Sequence, residues 1–472
     1  MLFSSTTFIY LFLPIILVLY YTVFRRSRLG KNILLFLGSL FFYAWGEPKF
    51  VFVMLLSIVV NWFFGLMVHR YRDRTVLSKT LLGIDVFLNL ALLFVFKYLG
   101  FTASVIRDLS GAELTVPEIA LPIGISFFTF QALSYVVDVY RQKGDVQTNI
   151  LYVGLYISFF PQLIAGPIVR YETIAEEIQS RQETLEDFTK GFSRFIVGLG
   201  KKVLLANGFA LIADAVFDLS KSGTELSVLL SWLGALAYTF QIFFDFGGYS
   251  DMAIGLGQMF GFHFLENFNY PYISTSVSEF WRRWHISLGS WFRDYLYIPL
   301  GGNRVSKGRN ICNLFIVWFA TGLWHGANFT FIVWGLLYFL LLTAEKFLKL
   351  EKWTGKGITA IKWLYTMLFV IIGWVIFRVE TISDGWVFLQ SMFGFRGNPL
   401  TDGVFTEYFR QNIPLLLWGI LLSTPLFRWL KEKTANSTLA DYIRVIALFA
   451  VFLLSIVSLV SNSYNPFIYF NF

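Results

Sequence analysis

The chain has only four histidines, and two of them fall inside one stretch, residues 280–328. It reads FWRRWHISLGSWFRDYLYIPLGGNR, then a short basic linker, then NICNLFIVWFATGLWHGAN. His285 ends Arg282-Arg283-Trp284-His285, and His325 sits in Gly322-Leu323-Trp324-His325-Gly326. A polar cluster beside membrane-grade sequence is costly and marks a functional site by default. An imidazole titrating near neutrality can accept a proton from a hydroxyl while that oxygen attacks a carbonyl. One histidine therefore suffices for direct acyl transfer from a thioester, with no covalent enzyme intermediate. His325 is the candidate general base. His285 is a support that positions the acyl carrier, the thioester or His325.

The neighbouring side chains extend that assignment. Asn328 can donate to a developing oxyanion. Arg282, Arg283, Arg293 and Arg304 suit the phosphates of a pantetheine-bearing donor, because guanidinium matches phosphate geometry. Lys307 and Arg309 extend the basic patch. Trp281, Trp284 and Trp324 wall a cavity or sit at the membrane interface, and packing alone is the plainer role for each. The candidate donor contacts are thus Arg282, Arg283, Trp284, Trp324 and Asn328. Contact with lipid phosphates and loop topology account well for Lys307 and Arg309. They account less well for residues 282–285, since a histidine adds nothing to topology.

The elements that must hold these groups are helices in a bilayer. The 472 residues are 56% hydrophobic, 19% aromatic and only 14% charged, with a mean hydropathy of +0.62. A soluble chain usually carries about 25% charge, so composition points to an all-α polytopic membrane protein. His325 lies in an apolar run, 311–343, of about thirty residues, too long for one span and too short for two. Two partial helices meeting near 322–328 are expected, because broken backbone inside a membrane must be buried in protein or line a cavity.

Residues 8–21 resemble a signal-peptide core, but no basic segment precedes them, and Arg25, Arg26, Arg28 and Lys31 follow. They are expected to be a retained first helix. This basic cluster and the next, at 69–74, fall on the same, inner side by the positive-inside rule, with two spans leading out and back between them. The net charge of +8 lies mostly in such loops, and no nucleic-acid motif accompanies it, so nucleic-acid binding is excluded. Cys312 is the only cysteine, which rules out an internal disulfide or a multi-cysteine metal site. Its apolar setting favours a buried small hydrophobe, with a thioester role as the alternative. No metal motif is present.

Further spans are expected near 32–45, 50–68, 81–96, 119–139, 195–217, 228–244, 362–377, 413–427 and 442–460. Residues 152–169 carry Pro161 and Pro167, which predict a partial or re-entrant segment, or else a kinked span. The charged stretch 171–190 suits a membrane surface. Lys201 and Lys202 are placed to snorkel to head groups. Residues 245–251, DFGGYSD, read as a polar break where Asp245 and Asp251 bind a cation, orient a histidine or, with Ser250, cap a helix. Ser276 or Ser278 is expected to cap a helix from 279. His69 and His263 read as loop or packing residues, 391–411 as a polar loop and 464–472 as an aromatic tail.

Taken in order, these segments resemble the membrane-bound O-acyltransferases (MBOAT), and within them the bacterial branch that O-acetylates alginate and other polysaccharides. The matching stretches include Met1-Leu2-Phe3-Ser4-Ser5, Tyr43-Ala44-Trp45-Gly46, Pro122-Ile123-Gly124-Ile125-Ser126-Phe127, residues 160–168 (FPQLIAGPI) and 245–251. They continue with 267–272 (NFNYPY), 279–285 (EFWRRWH), 322–327 (GLWHGA) and 465–470 (NPFIYF). One short match is weak, but this many in order are specific and cover nearly the whole chain.

The resemblance implies a single domain, 1–472, with 280–328 as its catalytic core. Its fold would be a ring of about eleven tilted helices with re-entrant pieces around a central funnel. It also implies a catalytic role for His325 and an activity role for His285. The donor would be cytoplasmic acetyl-CoA, bound as a substrate with no tightly held cofactor or metal, and the membrane a bacterial cytoplasmic (inner) one. The acceptor would be a polysaccharide, reached directly or through a separate extracytoplasmic SGNH/GDSL-like acetyltransferase. Two alternatives stay open: a D-alanyl transferase of teichoic-acid modification using a carrier-protein thioester, and a non-enzymatic transporter of acyl donor or polymer.

Overall fold

The computed structural model describes residues 1–111, 115–116, 118–461 and 464–468, and every described element is a helix or a turn. The helices are α1 (Phe8–Val23), α2 (Arg28–Ala44), α3 (Val51–Arg70), α4 (Thr75–Ser110), α5 (Ile125–Tyr140), α6 (Ile150–Ser158), α7 (Phe160–Leu163) and α8 (Tyr171–Ser180). They continue with α9 (Leu185–Lys221), α10 (Val228–Met259), α11 (Val277–Arg283), α12 (Ile286–Phe292), α13 (Lys307–His325) and α14 (Phe329–Leu348). The last are α15 (Lys356–Arg378), α16 (Ile382–Met392), α17 (Gly403–Leu422), α18 (Leu426–Lys433) and α19 (Thr438–Ser461).

Among the described residues seven helices are long and apolar enough to cross a bilayer, or eight if the bent pair α17–α18 is one span. This count does not confirm the expected eleven or so; α1 and α5 are further, shorter apolar helices. Residues 403–411, expected inside a polar loop, form the first part of α17. Of the expected tail, Asn465, Pro466, Phe467 and Ile468 are described, with Phe467 and Ile468 buried; 469–472 lie outside the described residues.

The chain divides into two compact units, Met1–Phe195 with Tyr249–Leu265, and Ile196–Gly248 with Glu266–Phe472. In the first, α5 begins six residues later than expected, because Gly124 takes a left-handed φ of +75° and a side chain there would lie 2.8 Å from the Leu163 carbonyl oxygen. The proline-interrupted segment forms α6 and α7, nine and four residues long, neither able to cross a bilayer. Polar residues glue α3 to α4: the Asn61 and Asn89 amides exchange hydrogen bonds of 3.2 and 3.1 Å. Glu183 gathers Arg28 at 2.6 Å and Lys31 at 3.1 Å. Arg194 pairs with Asp251 at 2.9 Å.

The expected break at 245–251 does not occur. Helix α10 runs unbroken for 32 residues, so Ser250 and Asp251 cap nothing. The glycines serve approach instead: a methyl at Gly248 would lie 2.7 Å from the Gly198 carbonyl oxygen of α9. That contact brings Lys202 to Asp245 at 2.8 Å, each side chain 2% exposed. Lys202 therefore does not snorkel. Asp245 also accepts from the Ile468 backbone N–H at 2.8 Å, and Lys202 donates to Asn207 at 2.9 Å and to the Pro466 carbonyl.

Two outcomes follow for stability in detergent. Lys202→Met leaves Asp245 as an uncompensated buried charge and is expected to cost about 3–5 kcal/mol. Adding Asp245→Leu should restore part of that in thermal unfolding. The second concerns His263 beyond the end of α10, which faces Glu177 at 2.8 Å and Asp187 at 3.5 Å. Partial burial works to lower the pKa of this imidazole, but hydrogen bonds and charge from Glu177 and Asp187 outweigh it and hold the value above the usual one. A raised folded-state pKa gives stability that is full below the unfolded value and fades as pH rises through the folded one. His263→Gln should thus lower the melting temperature at pH 5.5 more than at pH 8.5.

Candidate functional site

Helices α13 and α14, 19 and 20 residues long, form a tightly packed hairpin. Two helices meet near 322–328 as expected, but α14 is not partial, being long and apolar enough to cross a bilayer. Both extend into polar ends that the apolar run omits: α13 begins at Lys307, and α14 carries Glu345 and Lys346. Glycines set the spacing. A methyl at Gly322 would lie 2.5 Å from the Phe331 carbonyl oxygen, and one at Gly335 2.5 Å from that of Trp318. The break falls at 326–328, where Gly326 is extended and Asn328 caps α14 by accepting from the Thr330 N–H at 3.1 Å. His325 is the last residue of α13 and 7% exposed. Its ring lies 5.0 Å, centroid to centroid, from each of Trp324, Trp334 and Phe377, all near edge-on.

His285 is held by a different device. Ser276 caps α11 by accepting from the Glu279 N–H at 3.0 Å, and the buried Glu345 carboxylate accepts from the N–H groups of Val277 and Ser278 at 2.6 and 2.9 Å. After Trp284 the chain turns at His285, which takes a left-handed φ of +45°. Residues 267–269 brace that turn: Ile286 N–H donates to the Asn267 carbonyl, and Asn269 N–H to that of Arg283, both at 2.9 Å. The Asn267 side-chain oxygen accepts from the Ser287 N–H at 3.1 Å and its hydroxyl at 2.8 Å, and lies 3.2 Å from His285 Nδ1. An oxygen already accepting from a backbone N–H assigns the ring proton to Nδ1 and the lone pair to Nε2. His285 is 2% exposed, and its Nε2 meets no hydrogen-bonding group among the described residues.

The two histidines meet through one indole. Trp324 stands 5.0 Å from the His325 ring and 6.0 Å from that of His285, which also has the Phe246 ring beside it at 4.6 Å. Trp324 and Trp284 are 5% and 3% exposed, so both are packed inside the protein. Trp284 packs between Phe268 and Trp374, at 5.0 and 4.8 Å. Asn328 donates its amide to the Glu380 carbonyl at 2.9 Å, the contact of a helix cap and loop tie. Arg283 pairs with Glu279 at 2.9 Å and donates to the Asn269 carbonyl.

Arg282 faces the opposite end of the hairpin. With Arg293, Lys346, Lys349 and Lys352 it lines a cavity of about 570 Å³ that also carries Glu345 and Glu351. Trp281, Trp318, Trp334 and Tyr338, in mutual ring contact at 4.9–6.2 Å, pack between the helices from that end toward His325. Cys312 is exposed on α13, against the expectation of burial. Residues that sequence reasoning missed are Asn267, Phe246, Trp334 and Phe377. Asn267 carried a usable signal, a buried-type amide opening the NFNYPY run just before the histidine segment. The three rings carried none, being lost among fifty-four phenylalanines and fifteen tryptophans.

A family model described as MBOAT, membrane-bound O-acyltransferase family, matches residues 40–382. The chain is 44% identical over 399 residues to "Probable alginate O-acetylase AlgI" of Pseudomonas aeruginosa, covering 84% of this chain and 75% of that protein. The protein of the same name from Azotobacter vinelandii is 39% identical over 510 residues and covers the full length of both. "Peptidoglycan O-acetyltransferase" of Helicobacter pylori is 32% identical over 518 residues, covering 100% of this chain and 98% of the relative.

The Asn267 brace has a measurable consequence. Asn267→Leu keeps the branched outline but strands the Ser287 N–H, the Ser287 hydroxyl and His285 Nδ1–H, at about 1–3 kcal/mol for each donor left buried and unpaired. Thermal unfolding should fall by several degrees, and His285→Asn should fall less, because it leaves the Ser287 contacts to Asn267 intact.

Proposed function

Because this chain belongs to the membrane-bound O-acyltransferase family and is a multi-pass membrane enzyme of that class, we propose that it moves an acetyl group from cytoplasmic acetyl-CoA across the membrane for O-acetylation of an extracytoplasmic polysaccharide. His325 is the general base. It takes the proton of the attacking hydroxyl, the oxygen bonds to the thioester carbonyl carbon, the carbon–sulfur bond breaks, and the proton passes to the departing thiolate. His285, proton on Nδ1 and lone pair on Nε2, orients the donor head or the Trp324 wall. The membrane is the bacterial cytoplasmic one. A separate extracytoplasmic SGNH/GDSL-like acetyltransferase carries the group onward to the glycan.

The observation that carries this reading is the pair of buried imidazoles on one indole, with His325 ending a helix at a backbone break. Broken backbone at membrane depth is sustained where it serves a buried site or a cavity. The basic cavity supports a phosphate-bearing donor: Arg282, Arg293, Lys346, Lys349 and Lys352 outnumber its two carboxylates. From Val317 on its wall to His325 the helix rises about 12 Å, and aromatic rings line the way. Acetyl rather than D-alanyl transfer is supported by full-length likeness to proteins named for acetylation. "Teichoic acid D-alanyltransferase" of Bacillus subtilis matches only 54% of the chain.

The test is transfer of labelled acetyl-CoA by the protein reconstituted in vesicles with candidate glycan acceptors. His325→Ala should lower the rate by about 10²–10⁴-fold, the range for a lost general base. Label transfer equal to that of the unaltered protein would remove the mechanism.

A further inference from the structure

Arg378 ends α15 one residue after Phe377, whose ring touches His325. Its guanidinium donates to Asp214 of α9 at 2.7 Å, and the Tyr464 hydroxyl donates to the other oxygen of the same carboxylate. Rings of Phe217 and Tyr238 flank the guanidinium at 5.6 and 5.8 Å. A cation at a helix C-terminus also complements the carbonyl end of the helix dipole. Successive residues on a helix point about 100° apart, so Arg378 reaches α9 while Phe377 turns to the α13–α14 hairpin. Phe377 is 3% exposed and lies 4.9 Å from Phe331 and 5.3 Å from Trp334, as well as 5.0 Å from His325. Two residues after Arg378, the Glu380 carbonyl accepts the Asn328 amide at 2.9 Å.

Residues 377–380 therefore grip the hairpin break at two points, by a ring on His325 and a carbonyl on Asn328. What fixes that segment is the anchor of Arg378 on Asp214. The Lys221–Glu380 pair at 2.8 Å is exposed, with side chains 57% and 68% accessible, and contributes little. We propose that Arg378, seated on Asp214 and Tyr464, is a positioning residue that sets the His325 imidazole by fixing Phe377 and Glu380. Its catalytic consequence rests on His325 being the base, whereas the grip itself does not.

Two readouts keep those apart. Turnover with labelled acetyl-CoA should show Arg378→Gln and Asp214→Asn losing kcat by about 100-fold, the effect of misplacing a catalytic group by an ångström, with KM within about twofold. Arg378→Lys keeps the charge but not the fork and should recover part of kcat. Tyr464→Phe removes one hydroxyl and serves as the mild variant if the others fold poorly, with a loss of about threefold, the scale of one net hydrogen bond at its weak end. The second readout is the imidazole NMR spectrum of protein labelled at its four histidines, with the His325 signal identified by its absence in His325→Gln. That signal should move in Arg378→Gln, Asp214→Asn and Tyr464→Phe, while those of His69 and His263 stay. A His325 signal unmoved in all three well-folded variants overturns the proposal whatever turnover does. A moved signal with unchanged turnover upholds the grip and overturns the assignment of His325 as base.

Discussion

The backbone contact between Gly322 and Gly335 is the constraint from which the site follows. With no Cβ on either side, α13 and α14 close to a separation at which a methyl would sit 2.5 Å from a carbonyl oxygen. Lipid offers no hydrophobic drive for helix association, so close backbone approach and the packing it permits must supply it. Once the hairpin is closed, its break lands at 326–328 and His325 becomes a helix terminus walled by Trp324, Trp334 and Phe377. A larger residue at either glycine would part the helices and dissolve the aromatic cage.

Three carboxylates carried by α9 and α10 are each met by a cation. Asp245 meets Lys202, and Asp251 meets Arg194, so a segment that looks like a functional break is helix with its carboxylates neutralised by α9. Asp214 meets Arg378. The docked segment 464–468 takes part in two of these arrangements, through the Ile468 N–H on Asp245 and the Tyr464 hydroxyl on Asp214. An unpaired charge at these depths would be expensive, and each partner removes that cost for the other.

Much of this was legible in the sequence. Composition and loop charge gave the class, and scarcity of histidine singled out His285 and His325. The short matches named the family that the full-length relatives bear out. The failures have a common physical origin: hydropathy reports a residue's own transfer energy and is blind to its partner. DFGGYSD read as a break because its carboxylates were counted without Lys202 and Arg194. Residues 311–343 read as two half-helices because the polar ends were trimmed, though Asn310 and Asn313 donate to backbone carbonyls of Gly302 and Leu300. Asn328 also caps α14 with its oxygen and ties Glu380 with its amide, duties that its hydropathy does not show. Cys312 read as buried because its neighbours are apolar, although they are so on an outward face.

Whether one imidazole can be reached by both an acyl thioester and a hydroxyl decides the account. The most direct measurement is a density map of the protein in a lipid nanodisc with a non-hydrolysable acetyl-CoA analogue. The account expects the analogue's phosphates among Arg282, Arg293 and Lys346 and its acetyl carbonyl within about one solvent layer of His325, since a base must act over hydrogen-bond distance or through one water. An analogue bound elsewhere, with the His325 ring still sealed among Trp324, Trp334 and Phe377 and no path leading to it, would contradict it.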